Sequence, residues 1–113
     1  MKKLLLLIIP LLISCQKTIK DIDFNAIKEP CELIDASIII CNEAKELRER
    51  YGTDLPITNK DYHSKKAEIE NAWFDGINGC MARNRWHQND IKYCERYNEL
   101  MRLKLSEGGN PDF

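Results

Sequence analysis

Five cysteines, Cys15, Cys31, Cys41, Cys80 and Cys94, are the residues of this 113-residue chain best suited to covalent chemistry. Cys15 stands apart, at the end of an apolar run near the N-terminus. The other four are an even number in a small chain with an export-type leader, which predicts two disulfides. A zinc site needs short paired spacings, whereas the gaps here are nine residues between Cys31 and Cys41 and thirteen between Cys80 and Cys94. Neither His63 nor His87 completes a ligand pattern, so no metal or other cofactor is expected.

Four cysteines allow three pairings. Cys80 and Cys94 flank His87 symmetrically, so a helical hairpin turning there brings them level and favours Cys80–Cys94. Cys31–Cys41 then follows, provided that Cys31 lies before the helix proper. On one straight helix the two would be about 15 Å apart along the axis. The nested alternative, Cys41–Cys80 with Cys31–Cys94, resembles the twin-cysteine helical hairpins of mitochondrial import. Cys31 and Cys41 share the nine-residue gap of that family, the second pair departs from it, and the leader excludes it, so nothing is carried over. The sequential pairing ranks first.

Other constellations are weaker. Glu43, Glu46, Glu49, Glu68 and Glu70 include pairs that could share a helix face as acid and base, but each has a Lys or Arg nearby, as on a solvated helix. No nucleophile elbow, zinc-protease motif or phosphate loop is present, and Ser37, Ser64 and Ser106 are the only serines after residue 14. Arg83, Arg85, Trp86 and His87 form a basic and aromatic group, which also suits an ordinary helix C-terminus. The expectation is that the chain is not an enzyme.

These residues must be positioned by helices. Leu33, Ser37, Ile40, Ala44, Leu47 and Tyr51 recur at steps of three and four, with Ile34, Ile38 and Cys41 beside them, predicting a helix from Cys31 to about Arg50 that stops at Gly52. The run Ile38-Ile39-Ile40 is strand-like but short. A loop with Pro56 and a candidate N-cap at Thr58 precedes a second helix reaching about Trp86, with Tyr62, Ile69, Trp73, Ile77 and Cys80 on one face. Gly76 and Gly79 mark a close contact or a kink in it. A turn at His87 to Asp90 leads to a third helix from about Asp90, with Ile91, Cys94, Tyr97, Leu100 and Met101 as its apolar stripe. The fold class expected is all-α, a three-helix domain over residues 31–105 made of a helical hairpin plus one helix. Residues 15–30 read as a tether, with Ile22, Phe24 and Ile27 able to find a groove, and residues 106–113 as a frayed, disordered tail.

The leader itself is specific. Lys2 and Lys3 precede an apolar run from Leu4 to Leu12, too short at about nine residues for a hydrocarbon core that needs about twenty. Leu12-Ile13-Ser14-Cys15 resembles the lipobox of bacterial lipoproteins. The resemblance implies a signal peptide over residues 1–14, lipidation of Cys15, and an anchored mature chain, with Gln16 pointing to the outer membrane and a domain facing the periplasm. Several acyl chains on one residue hold a protein stably, since each buried methylene contributes about 0.8 kcal/mol.

Without Lys2 and Lys3 the chain carries 15 basic against 18 acidic residues, and the signs are mixed along every segment. No nucleic-acid partner or small-molecule substrate is expected. The function expected is protein–protein interaction in the cell envelope, through a membrane-tethered helical domain. Narrower alternatives are the outer-membrane lipoprotein subunit of a phage spanin, an exclusion or pilotin-like lipoprotein, and a cell-wall enzyme or inhibitor.

Overall fold

The computed structural model describes residues 17–52 and 59–113. The leader, the lipobox with Cys15, and the candidate cap Thr58 lie outside these residues. Among the described residues all regular structure is helical, as expected.

The longest element is α1, Pro30–Tyr51. Proline fits its first turn because the missing N–H would have no helical partner there. Gly52, at φ 68°, closes the other end and donates its N–H to the Arg48 carbonyl at 2.8 Å. Two apolar stripes run along α1. Leu33, Ala36, Ile40, Ala44 and Leu47 face one core cluster with Tyr62, Ile69, Ile77 and Cys80. Ile34, Ile38 and Cys41 face a second cluster with Ile91, Cys94, Leu100 and Leu103. A helix apolar on two sides has to be packed on two sides, so α1 is the central rod. Ser37 lies between the stripes, 2 % exposed, and its hydroxyl donates to the Leu33 carbonyl at 2.8 Å. The triple-isoleucine run is helical, outvoted by its surroundings.

The second rod begins with α2, Lys60–Asn71, capped by Asn59, whose side chain accepts from the Tyr62 N–H at 2.9 Å. It continues without a break through a widened π-type turn, Ala72–Ile77, into α3, Asn78–Asn84. The widened turn holds Gly76 where the Phe24 ring packs, so closely that a Cβ there would lie 2.5 Å from it. Gly76 thus marks both the close contact and the irregularity anticipated, whereas a Cβ at Gly79 would meet only Arg83 at 3.4 Å. The rod ends at Arg85, in the left-handed region at φ 58°, with the Trp86 N–H closing onto the Met81 carbonyl at 2.9 Å.

The expected third helix is two. The one-turn α4, Gln88–Ile91, is separated by turns from α5, Tyr97–Ser106. Asp90 is not the N-cap but the third residue of α4, where its carboxylate accepts from the His87 N–H at 2.7 Å. Nor do the second and third segments form the expected hairpin, because α5 packs chiefly along α1. The three-helix expectation is corrected to four helical segments among the described residues, α1, the continuous α2–α3, α4 and α5.

Both segments expected to be loose are docked. In the presumed tether, short 3-10 turns at Ile19–Asp21 and Phe24–Ala26 bring Ile19 and Ile27 to 8 % and 7 % exposure. In the presumed tail, Pro111 is fully buried and Phe113 packs edge-on to Tyr62, with ring centroids 6.4 Å apart, and beneath the Arg48 guanidinium at 4.2 Å. Gly109 permits this, since a Cβ there would meet the Leu103 and Cys41 carbonyl oxygens at 2.8 and 2.9 Å.

Candidate functional site

Only one disulfide is present among the described residues, Cys31–Cys94, with Cα atoms 5.3 Å apart. It corrects the sequential pairing and the expectation of two bridges. Cys31 lies inside α1 rather than before it, so Cys41, ten residues on, is out of reach along the same rod. The Cys80–Cys94 pairing fails because α5 joins α1 instead of pairing with the second rod. Cys41 and Cys80 are buried free thiols on different sides of α1, Cys80 in the first cluster and Cys41 in the second. Burial pushes the Cys41 thiol up to about 12, against the opposing pull of Lys104 and Arg48, so it is protonated at neutral pH. Asn84 donates to the Cys80 carbonyl at 2.8 Å, its Nδ2 lying 3.5 Å from the sulfur.

The carboxylates do not assemble into an acid and base pair. Glu43 is the most buried of those in ion pairs. It accepts from the Ile19 N–H at 2.7 Å and from Lys65, which also reaches Glu68 at 3.3 Å. Burial alone would lower the Lys65 pKa, but the hydrogen bonds and charges of Glu43 and Glu68 outweigh it and raise it. This is a structural tie between the N-terminal segment, α1 and α2. Glu46 and Glu49 are exposed on α1 and Glu70 is half-buried on α2. The basic and aromatic group is also dispersed: Trp86 packs on the first cluster, Arg83 reaches the Phe24 carbonyl at 3.5 Å, and His87 begins α4. His63 is exposed beside the Tyr62 ring, centroids 5.3 Å apart. Among the described residues no three His, Cys, Asp or Glu side chains are grouped to hold a metal ion, and no helix is long and apolar enough to cross a membrane.

An open groove of about 500 Å³ lies between the N-terminal segment and α1. Ile22 and Ile27 form one wall, and Ala36, Ile38 and Ile39 the floor. Asp21, Asp23, Glu32 and Asp35 stand around it, against Lys17 and Arg96 at its margins. Asp21 is held below the usual carboxylate range by the N–H and hydroxyl of Thr18, at 2.8 and 3.2 Å. Arg96 clasps one end, donating to Asp35 at 3.0 Å and to Glu99 at 2.9 and 3.2 Å. The groove therefore offers an aliphatic floor and surplus negative charge, complementary to a surface that is apolar and cationic. Sequence reasoning missed it because its residues come from the supposed tether and from an unremarkable face of α1. The available signals were Ile22 and Ile27, expected to find a groove, and Ile39, left over from both core stripes. No family model, curated protein or solved structure matches the chain.

Proposed function

We propose that the chain is an exported lipoprotein, anchored through Cys15 at the outer membrane and facing the periplasm, which works by docking an envelope protein rather than by catalysis. The lipobox resemblance supports the anchor. The groove supports the docking, and it carries the reading: four carboxylates around an isoleucine floor suit a basic amphipathic segment, with apolar side chains buried and cations facing Asp21, Asp23, Glu32 and Asp35. Lys17 lines the groove only two residues beyond Cys15, so an anchored chain presents it close to the bilayer surface, to partners already confined there.

A photo-crosslinking residue at Asn42, on the groove margin, tests this in living cells. One envelope protein should be captured from position 42 and not from position 93, where Tyr93 is 91 % exposed. Glu32→Lys should reduce the yield several-fold, and Cys15→Ser should abolish both the acyl mass and the capture. Equal capture from both positions, or capture indifferent to Glu32→Lys, sinks the docking reading. A full-length, unacylated chain in the membrane fraction sinks the anchor.

A further inference from the structure

The surroundings of the Cys31–Cys94 bridge differ at its two ends. Cys31 is exposed in the first turn of α1, whereas Cys94 is 6 % exposed. A recess of about 180 Å³ adjoins the bridge, lined also by Ile34, Asp35, Glu95 and Arg96. One end of the bond is thus offered to solvent and the other withheld, next to space that a released side chain can enter. We infer that Cys31–Cys94 is a thiol–disulfide exchange site for an external dithiol, which attacks at Cys31 and releases Cys94 into the recess.

The exchange balances in two steps. A thiolate of the dithiol bonds to the Cys31 sulfur while the bond to Cys94 breaks, and the electron pair leaves on Cys94, which then takes a proton from water. Arg96 also lines the recess, with its guanidinium paired to Asp35 and Glu99, so the charge on Cys94 is removed by that proton rather than by an ion pair. The second thiolate of the dithiol attacks its own partner sulfur in the mixed disulfide and expels Cys31 as a thiolate. This leaving group sits at the N-terminus of a 22-residue helix, where unpaired backbone N–H groups and the helix dipole favour negative charge. Cys31 and Cys94 gain two electrons and two protons, and the dithiol is oxidised to its disulfide. The remaining described thiols do not compete, since Cys41 and Cys80 are fully buried.

The bridge joins α1 to the turns between α4 and α5, the segment that carries Arg96 to Asp35 at the end of the groove. Reduction therefore loosens the Arg96 end of the groove. Only this last consequence rests on the docking reading; the exchange stands without it.

The test uses the folded full-length chain, treated separately with glutathione and with dithiothreitol, then quenched, alkylated and mapped by peptide mass. Glutathione should add to Cys31 alone. Dithiothreitol should expose Cys31 and Cys94 to alkylation while Cys41 and Cys80 stay unlabelled, and amide exchange over residues 92–96 should rise about tenfold with that of α1 unchanged. An adduct on Cys94, no reaction short of denaturant, or labelling of all four cysteines together overturns the inference. Exchange at Cys31 with Asn42 crosslinking unaffected by reduction overturns only the link to the groove.

Discussion

The two ends of the described chain meet the same central helix in opposite ways. Residues 17–29 lie along α1 on small turns, contribute Ile19 and Ile27 to the core, and leave an open groove beside them. Residues 107–113 instead seal their site, with Pro111 buried and Phe113 held between Arg48 and Tyr62. Each contact depends on a glycine, but the neighbours differ. At Gly76 the missing Cβ makes room for the Phe24 ring, which can swing away; at Gly109 it makes room for backbone carbonyls, which cannot. A polar segment can therefore be structural at either end, but only the N-terminal one leaves a surface for something else.

The largest effect should come from Ile27→Ala, which removes a buried side chain from the first cluster and should cost about 3 kcal/mol in urea unfolding. A loss below about 1 kcal/mol would mean that the N-terminal segment is the loose tether its composition suggests. Gly109→Ala should cost about 2 kcal/mol, because backbone has to move to admit the methyl group. The same substitution should free Phe113, seen as a loss of its ring-current shifts on neighbouring protons.

Gly76→Ala should change stability by no more than about 1 kcal/mol, since better helix propensity offsets displacement of Phe24. The comparison sharpens in a Phe24→Ala background. There Gly76→Ala should stabilise by about 0.5 to 1 kcal/mol, and continued destabilisation would show that the obstacle at Gly76 is not the Phe24 ring.

The smallest effect is that of acid. Glu107 is held below its ordinary range by Arg102 and Lys45, at 2.9 and 3.4 Å, and Asp21 by Thr18. A depressed folded-state pKa gives stability that is present above the unfolded value and lost as pH falls through the folded one. Acidification below the usual carboxylate range should thus loosen the C-terminal end from α1, through Lys45. At the N-terminal end only the local turn at Thr18 should respond, and proton spectra of Phe113 and Ile27 recorded against pH separate the two.

The central helix was legible because its apolar residues repeat every three or four positions, but that its broad stripe divides between two separate core clusters emerged only from the structure. The second rod was legible in its face, Tyr62, Ile69, Ile77 and Cys80, but its end fell at Asn84 rather than Trp86. The break between α4 and α5 was not visible, since Cys94 lies in it bonded to Cys31, a pairing that the spacing of the cysteines did not rank first. The docking of residues 107–113 was hidden by composition: two glycines and a proline usually mean a loose end, yet here Gly109 lets the backbone come close enough for Pro111 and Phe113 to be buried. The groove was hidden for a related reason, as its walls are ordinary residues whose meaning comes from the space between them.

The burial of Pro111 and Phe113 against α1 also bears on timing. Because Phe113 packs against the first cluster, that cluster stays open on one side until residue 113 has been synthesised.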